Sequence, residues 1–193
     1  MAISPTDPSQ KRAGFTYGSL VDNRPDRGGQ THIYRTIKLK DGNEWMAENF
    51  NFLMNLNKSL GFHNTRNDPN PADRVGYGLF YNWEGIQSAL PDGWRLPSIN
   101  EWQNLVSLYG GGTVAYQALL MGGSSGLDLQ MLNWRVGRTY TCSEFGDLGY
   151  FWSGSEGDNT KFAALLHFKK DGQKVSTIYL AKETYFTVRL IKK

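Results

Sequence analysis

Apolar residues along this chain come in short bursts whose spacing changes from alternate positions to helical spacing and back. Across residues 31–39, Ile33, Arg35, Ile37 and Leu39 give a mixed but β-rich pattern. Asp41-Gly42 then supplies a turn into residues 44–52, so a hairpin is expected there. Residues 58–73 carry Gly61, Asn64, Asn67, Asp68, Pro69, Asn70 and Pro71, a composition that disfavours regular structure and predicts a long surface loop. Leu79, Trp83 and Ile86 fall at helix-like spacing, predicting a helix over residues 78–89 that Pro91-Asp92-Gly93 stops. A second helix follows: Ser98 and Glu101 form an S-x-x-E capping box behind Pro97. Ile99, Trp102, Leu105, Val106 and Tyr109 make one apolar face before Gly110-Gly111-Gly112 ends it. A third, short helix is expected over residues 114–120, broken by the glycines of residues 122–126. Residues 162–168, 174–179 and 184–191 have strand-like composition, with Lys170-Asp171-Gly172 as a hairpin turn between the first two.

Helices in the middle and strands at both ends favour an α+β domain whose N- and C-terminal strands pair in one antiparallel sheet. Residues 1–30, with Pro5, Pro8, Pro25 and interspersed charges, show no sustained periodicity and read as an arm or irregular lead-in. The domain itself is expected over residues 31–193.

Composition sharpens this reading. A chain of 193 residues with 39% apolar content can bury one core of useful size, and a second full domain is not expected. Twenty-two glycines and 13% aromatics point to many short elements packed around large rings rather than to a helical bundle. No stretch approaches the roughly 18 consecutive apolar residues of a membrane span, and residues 1–10 lack the apolar core of a signal peptide. Membrane insertion is therefore not expected. The net charge of +3 is spread along the chain, which argues against nucleic acid as a partner. Cys142 is the lone cysteine, so no intrachain disulfide and no cysteine-rich metal site can form.

Six motifs, five of them aromatic, occur in order: Tyr34-Arg35-Thr36-Ile37-Lys38; the run from Glu44 through Trp45, Met46, Glu48, Asn49 and Phe50 to Phe52; Gly76-Tyr77-Gly78-Leu79-Phe80-Tyr81-Asn82-Trp83; the run from Gly93, Trp94, Arg95, Leu96, Pro97 and Ser98 to Glu101-Trp102; Phe151-Trp152-Ser153; and Val188-Arg189-Leu190. Through these motifs the chain resembles the Fibrobacter succinogenes major paralogous domain, a bacterial family abundant in Bacteroidetes, across roughly residues 18–193. The Gly-Trp-Arg-Leu-Pro-Ser-x-x-Glu-Trp core also looks like the corresponding motif of formylglycine-generating enzymes and of C-type-lectin-like folds. The resemblance implies a compact C-type-lectin-like α+β domain with two main helices, a sheet joining both termini and a loop-rich face open to ligands. Fold alone does not specify function, because this one hosts sugar binding, protein binding and oxidation chemistry.

Each motif residue has a structural role to fill. Trp45, Trp83, Trp94, Trp102 and Trp152 are flanked by Gly, Pro or apolar residues, as core rings are. Trp134, beside Asn133 and Arg135, is the expected surface ring. Arg95 is read as a partly buried clamp needing carboxylate or carbonyl partners; Glu101 belongs to the capping box with Ser98; Glu48, Asn49 and Arg189 belong to the motif framework.

Catalysis of the formylglycine-generating type needs a cysteine pair, and Cys142 stands alone. His32, His63 and His167 are too dispersed for a clustered histidine–iron site. No catalytic residue and no required cofactor are therefore expected. Calcium stays open at Glu156 and Asp158 in the run Ser155-Glu156-Gly157-Asp158-Asn159, although the Glu-Pro-Asn, Gln-Pro-Asp and Trp-Asn-Asp tripeptides of calcium-dependent lectins are absent. The ligand face implied by the resemblance gathers Trp134, Tyr140, Glu144, Tyr150, Glu156, Asp158, Asn159, Tyr185 and Phe186. Tyrosine, carboxylate and amide groups of this kind suit recognition. The expected function is a non-enzymatic, adhesin-like recognition module for a protein or glycan ligand. The alternatives are a structural subunit of a phage tail or contractile injection particle, assembling as a homo-oligomer or larger complex through residues 1–30, and an enzyme of the formylglycine-generating type.

Overall fold

The computed structural model describes residues 12–54, 77–132 and 146–193, together with the backbone of residues 59–60. Thirteen elements are formed among them: β1 (Tyr17–Asp22), β2 (His32–Lys38), β3 (Glu44–Met46), β4 (Ser59–Leu60), β5 (Phe80–Tyr81), α1 (Trp83–Gln87), β6 (Trp94–Arg95), α2 (Ile99–Leu108), α3 (Gly112–Leu119), β7 (Leu148–Glu156), β8 (Phe162–Lys169), β9 (Lys174–Ala181) and β10 (Ile191–Lys192). The architecture is mixed α/β with antiparallel sheets. Five strands run in the order β1-β2-β3-β10-β6, three in the order β7-β8-β9, and β4 pairs with β5.

The central strands of the two larger sheets carry a core cluster on each face, whereas the edge strands β1 and β9 keep exposed positions. In the three-stranded sheet, Phe151, Leu166 and Phe168 face the cluster built on Trp45, Trp102 and Leu105. Tyr150, Trp152, Ala163 and Leu165 face a second cluster with Met46, Phe50, Trp83, Val188 and Leu190. In the five-stranded sheet, Ile37, Trp45 and Ile191 join the first cluster, while Tyr34 and Met46 join the second. At about 25 cal/mol per Å² of apolar surface, each fully buried ring is worth a few kcal/mol before conformational entropy is counted. The chain thus folds around two ring-rich cores divided by sheets.

The hairpins at Asp41-Gly42 and Lys170-Asp171-Gly172 form as expected, with Gly42 and Gly172 at positive φ. Helix α2 has the expected capping box: Ser98 Oγ accepts from the Glu101 amide, and the Ser98 amide donates to the Glu101 carboxylate at 2.7 Å. The third helix also forms, over Gly112–Leu119.

Five expectations differ from the structure. The expected lead-in contains a strand: Tyr17–Asp22 has a six-residue ladder to β2, and Arg12 bonds Asp128, Gly122 O and Gly123 O. Its apolar content is too low for the pattern to reveal it. The helix expected over residues 78–89 shortens to Trp83–Gln87, because Tyr81 exchanges two backbone bonds with Phe186 and Asn82 caps the helix by accepting from the Gly85 amide. Only Ile191–Lys192 of the terminal segment is a strand. Residues 186–190 are extended, but their backbone bonds go to Tyr81, Trp152, Phe50 and Met46 in turn rather than to one neighbour. Ser155 and Glu156 end strand β7 rather than opening the loop. Finally, β10 shares a sheet with β1 but lies between β3 and β6, so the terminal strands do not pair directly.

Candidate functional site

The motif residues are used within the fold. Trp45, Trp102 and Trp152 are fully buried, and Trp83 and Trp94 nearly so. Their indoles tie separate elements together: Trp45 donates to Asp41, Trp83 to Ser153 O at 2.8 Å, Trp102 to Trp152 O and Trp152 to Tyr81 O at 2.8 Å. Arg95 donates to both Glu101 oxygens at 2.7 Å, a bidentate pair, and this contact chiefly holds the Glu101 pKa down at about 2. Glu48 accepts from the side chain and the amide of Arg35. The clamp reading of Arg95 fits these contacts.

Arg189 is 1% exposed and meets no carboxylate directly among the described residues. Its guanidinium donates to Asn49 Oδ1 at 2.6 Å, Met46 O at 3.2 Å, Leu127 O at 2.8 Å and Asp128 O at 2.7 Å. Burial lowers its pKa to about 9, still high enough to keep the charge at neutral pH. Asn49 in turn donates to Tyr77 O and Gln130 Oε1. This network fixes the loop after α3 against β3.

The ligand face expected from sequence divides. Trp134, Tyr140 and Glu144 lie outside the described residues, as do Cys142 and His63. Phe186 is fully buried, edge-on to Trp152 with centroids 4.8 Å apart, and so cannot meet a ligand. Tyr150 is 8% exposed and stacked between Phe186 and His167, which likewise places it in the core. Tyr185 is half-buried against Phe80 and Leu132. These corrections have one cause: aromatic residues near a strand end carry no sequence mark that separates core from surface.

Glu156, Asp158 and Asn159 do come together at the exposed β7–β8 turn. The Asn159 side chain accepts from the Lys161 amide, and Glu156 pairs with Lys182 at 3.1 Å. Lys182 also lies 4.2 Å from the centre of the Trp83 ring, so its ammonium is held between a ring face and a carboxylate. Glu156 is thereby partly neutralised, and no group of three or more His, Cys, Asp or Glu side chains among the described residues is placed to hold a metal ion.

Beside the turn runs an open groove of about 660 Å³ whose walls include Asn82, Glu84, Thr160, Lys161, Lys182 and Glu183. Phe162 also lines it, and Tyr179 stands on the same sheet face nearby, 55% exposed. Sequence reasoning missed both rings. Tyr179 lies in a strand whose alternation is legible, but the place where the helices stop covering that face is a tertiary fact.

Fold and site together define a mixed α/β domain with an internalised motif framework and an aromatic, charged turn on its surface. The family profile of the Fibrobacter succinogenes major domain matches residues 41–192, and the chain belongs to that family. No curated protein and no solved structure matches it.

Proposed function

We propose that this chain is a non-enzymatic recognition module of C-type-lectin-like arrangement, adhesin-like in action, which presents its ligand site at the β7–β8 turn and the adjoining groove. One contrast carries the reading. The polar groups of the motifs, Arg95, Glu101, Glu48, Asn49 and Arg189, are engaged inside the fold, whereas Asp158, Asn159, Phe162 and Tyr179 are exposed together. Two helices packed on one sheet, and a C-terminal strand inside the sheet that begins near the N-terminus, support the lectin-like arrangement.

The test is a binding screen of the purified chain against panels of immobilised purified proteins and saccharides, with and without calcium, followed by mass spectrometry of each bound ligand. Saturable binding with the ligand recovered unchanged is expected. A chemically altered ligand would establish an enzyme, and silence on both panels would overturn the recognition role.

A second reading, a structural subunit of an assembled particle, has its own observation. Strand β1 ends the five-stranded sheet with its outer edge unpaired among the described residues, and the facing Val21 and Ile33 are 52% and 57% exposed. Replacement of Val21 and Ile33 by Lys, followed by sedimentation analysis, tests whether this edge drives assembly. Loss of a higher-mass species is expected on this reading, and an unchanged mass distribution excludes it.

A further inference from the structure

We propose that Phe162 and Tyr179, with the groove beside them, form a saccharide-binding site that stacks a sugar ring on its aromatic platform. The inference rests on the recognition reading above and names the ligand class. The β8–β9 register pairs Ala164 with Tyr179 and Phe162 with Ala181, so the two rings are diagonal neighbours on one sheet face. Further along that face, Leu166, Phe168 and Val175 are covered in the cluster containing α2 and α3, and Gln103 of α2 reaches Thr177. Helix cover ends there. Tyr179 is 55% exposed and Phe162 38%, although both sit on a rigid, two-sided sheet.

Three features favour a sugar over other occupants. The residues directly across from the rings are Ala164 and Ala181, too small to hide a ring face. Gly157 packs against both Tyr179 and Phe162: a Cβ there would stand 3.1 Å from Tyr179 Cδ1 and 3.5 Å from Phe162 Cβ, so glycine adds no side chain that would crowd the platform. The groove offers amide, hydroxyl, ammonium and carboxylate groups together, donors and acceptors in mixture, which matches the alternating needs of sugar hydroxyls. A purely anionic or cationic ligand would call for charge of one sign. A protein partner would call for a broader apolar patch, whereas Val21, Ile33, Leu108, Val114 and Met121, the other large exposed apolar residues described apart from Tyr179 and Phe162, all stand on other elements. The electron-rich faces of Tyr and Phe attract the polarised C–H groups of a pyranose, and a ring fixed on a strand loses little entropy on binding.

The experiment screens the full chain on an array of immobilised mono- and oligosaccharides, then titrates the strongest binder by calorimetry against four variants. Tyr179→Ala and Phe162→Ala are expected to weaken binding about tenfold or more, while Tyr179→Phe, which keeps the ring, stays within about threefold. Val114→Ser, an exposed substitution on α3, is expected to match the wild type. Equal affinity in Tyr179→Ala and Phe162→Ala, with unchanged circular dichroism, would overturn the proposal even if saccharides bind. A blank saccharide array beside a positive protein panel would also overturn it, yet leave the recognition role standing.

Discussion

At the scale of single residues, Arg189 makes the sharpest prediction. Its replacement by Met leaves Asn49 Oδ1 and three carbonyls buried without a donor, at about 1–3 kcal/mol for each that water cannot reach. Chemical denaturation of Arg189→Met is expected to show a loss of about 3–5 kcal/mol, and a loss below about 1 kcal/mol would mean the network relaxes at little cost. Gly78 belongs to the same knot. It has φ +77°, and a Cβ there would stand 2.6 Å from Asn49 Cβ and 2.8 Å from Phe50 O. Gly78→Ala is therefore expected to destabilise, by about 1–3 kcal/mol, and to combine non-additively with Arg189→Met in a double-mutant cycle. Additive losses would separate the two sites.

His167 gives a pH dependence of known sign. Its ring stacks on Tyr150, and its buried Nε2 has no hydrogen-bond partner among the described residues. Desolvation, aided by Lys169, lowers its pKa below the usual 6.5. The neutral ring is thus favoured in the folded state. Its contribution to stability is complete above about pH 6.5 and is lost as pH falls through the depressed folded value. Melting temperature is expected to fall between pH 7.5 and 5 more steeply in the wild type than in His167→Gln. Parallel profiles would assign the slope to other groups.

Among the elements, α2 was the most legible, and the reason is local. Its cap, apolar face and glycine stop all lie within about fifteen residues, so the same interactions operate in the sequence pattern and in the fold. Ser98→Ala is expected to cost about 1 kcal/mol. Because Arg95 holds Glu101 at about 2, that ion pair contributes above the ordinary carboxylate range and fades as pH falls from about 4.5 toward 2. Acid titration of Glu101→Gln, followed by circular dichroism, is expected to give a flatter limb there than the wild type does. Strand β1 and the segment from 186 to 190 were less legible, since their pairing depends on partners across an intervening loop or on several partners at once. Helix-like spacing of Leu79, Trp83 and Ile86 misled for a similar reason: burial from two sides imitates periodicity.

For the whole molecule, the sequence disclosed scaffold better than site. Rings that build the core sit in motifs beside Gly and Pro, and that context identified all five motif tryptophans as buried. The exposed rings have no such context. Tyr179 and Phe162 differ from Tyr150 and Phe186 only in where the helices and loops end, whereas the exposure of Glu156, Asp158 and Asn159 was legible because a charged turn is a local feature. On the proposed function, recognition and stability are separable in this domain. The direct test is a binding titration, alongside near-ultraviolet circular dichroism, of one variant in which Asp158, Asn159, Phe162 and Tyr179 are all serine. A native aromatic spectrum with ligand binding abolished is the predicted result; retained binding, or loss of the native spectrum, would contradict the claim.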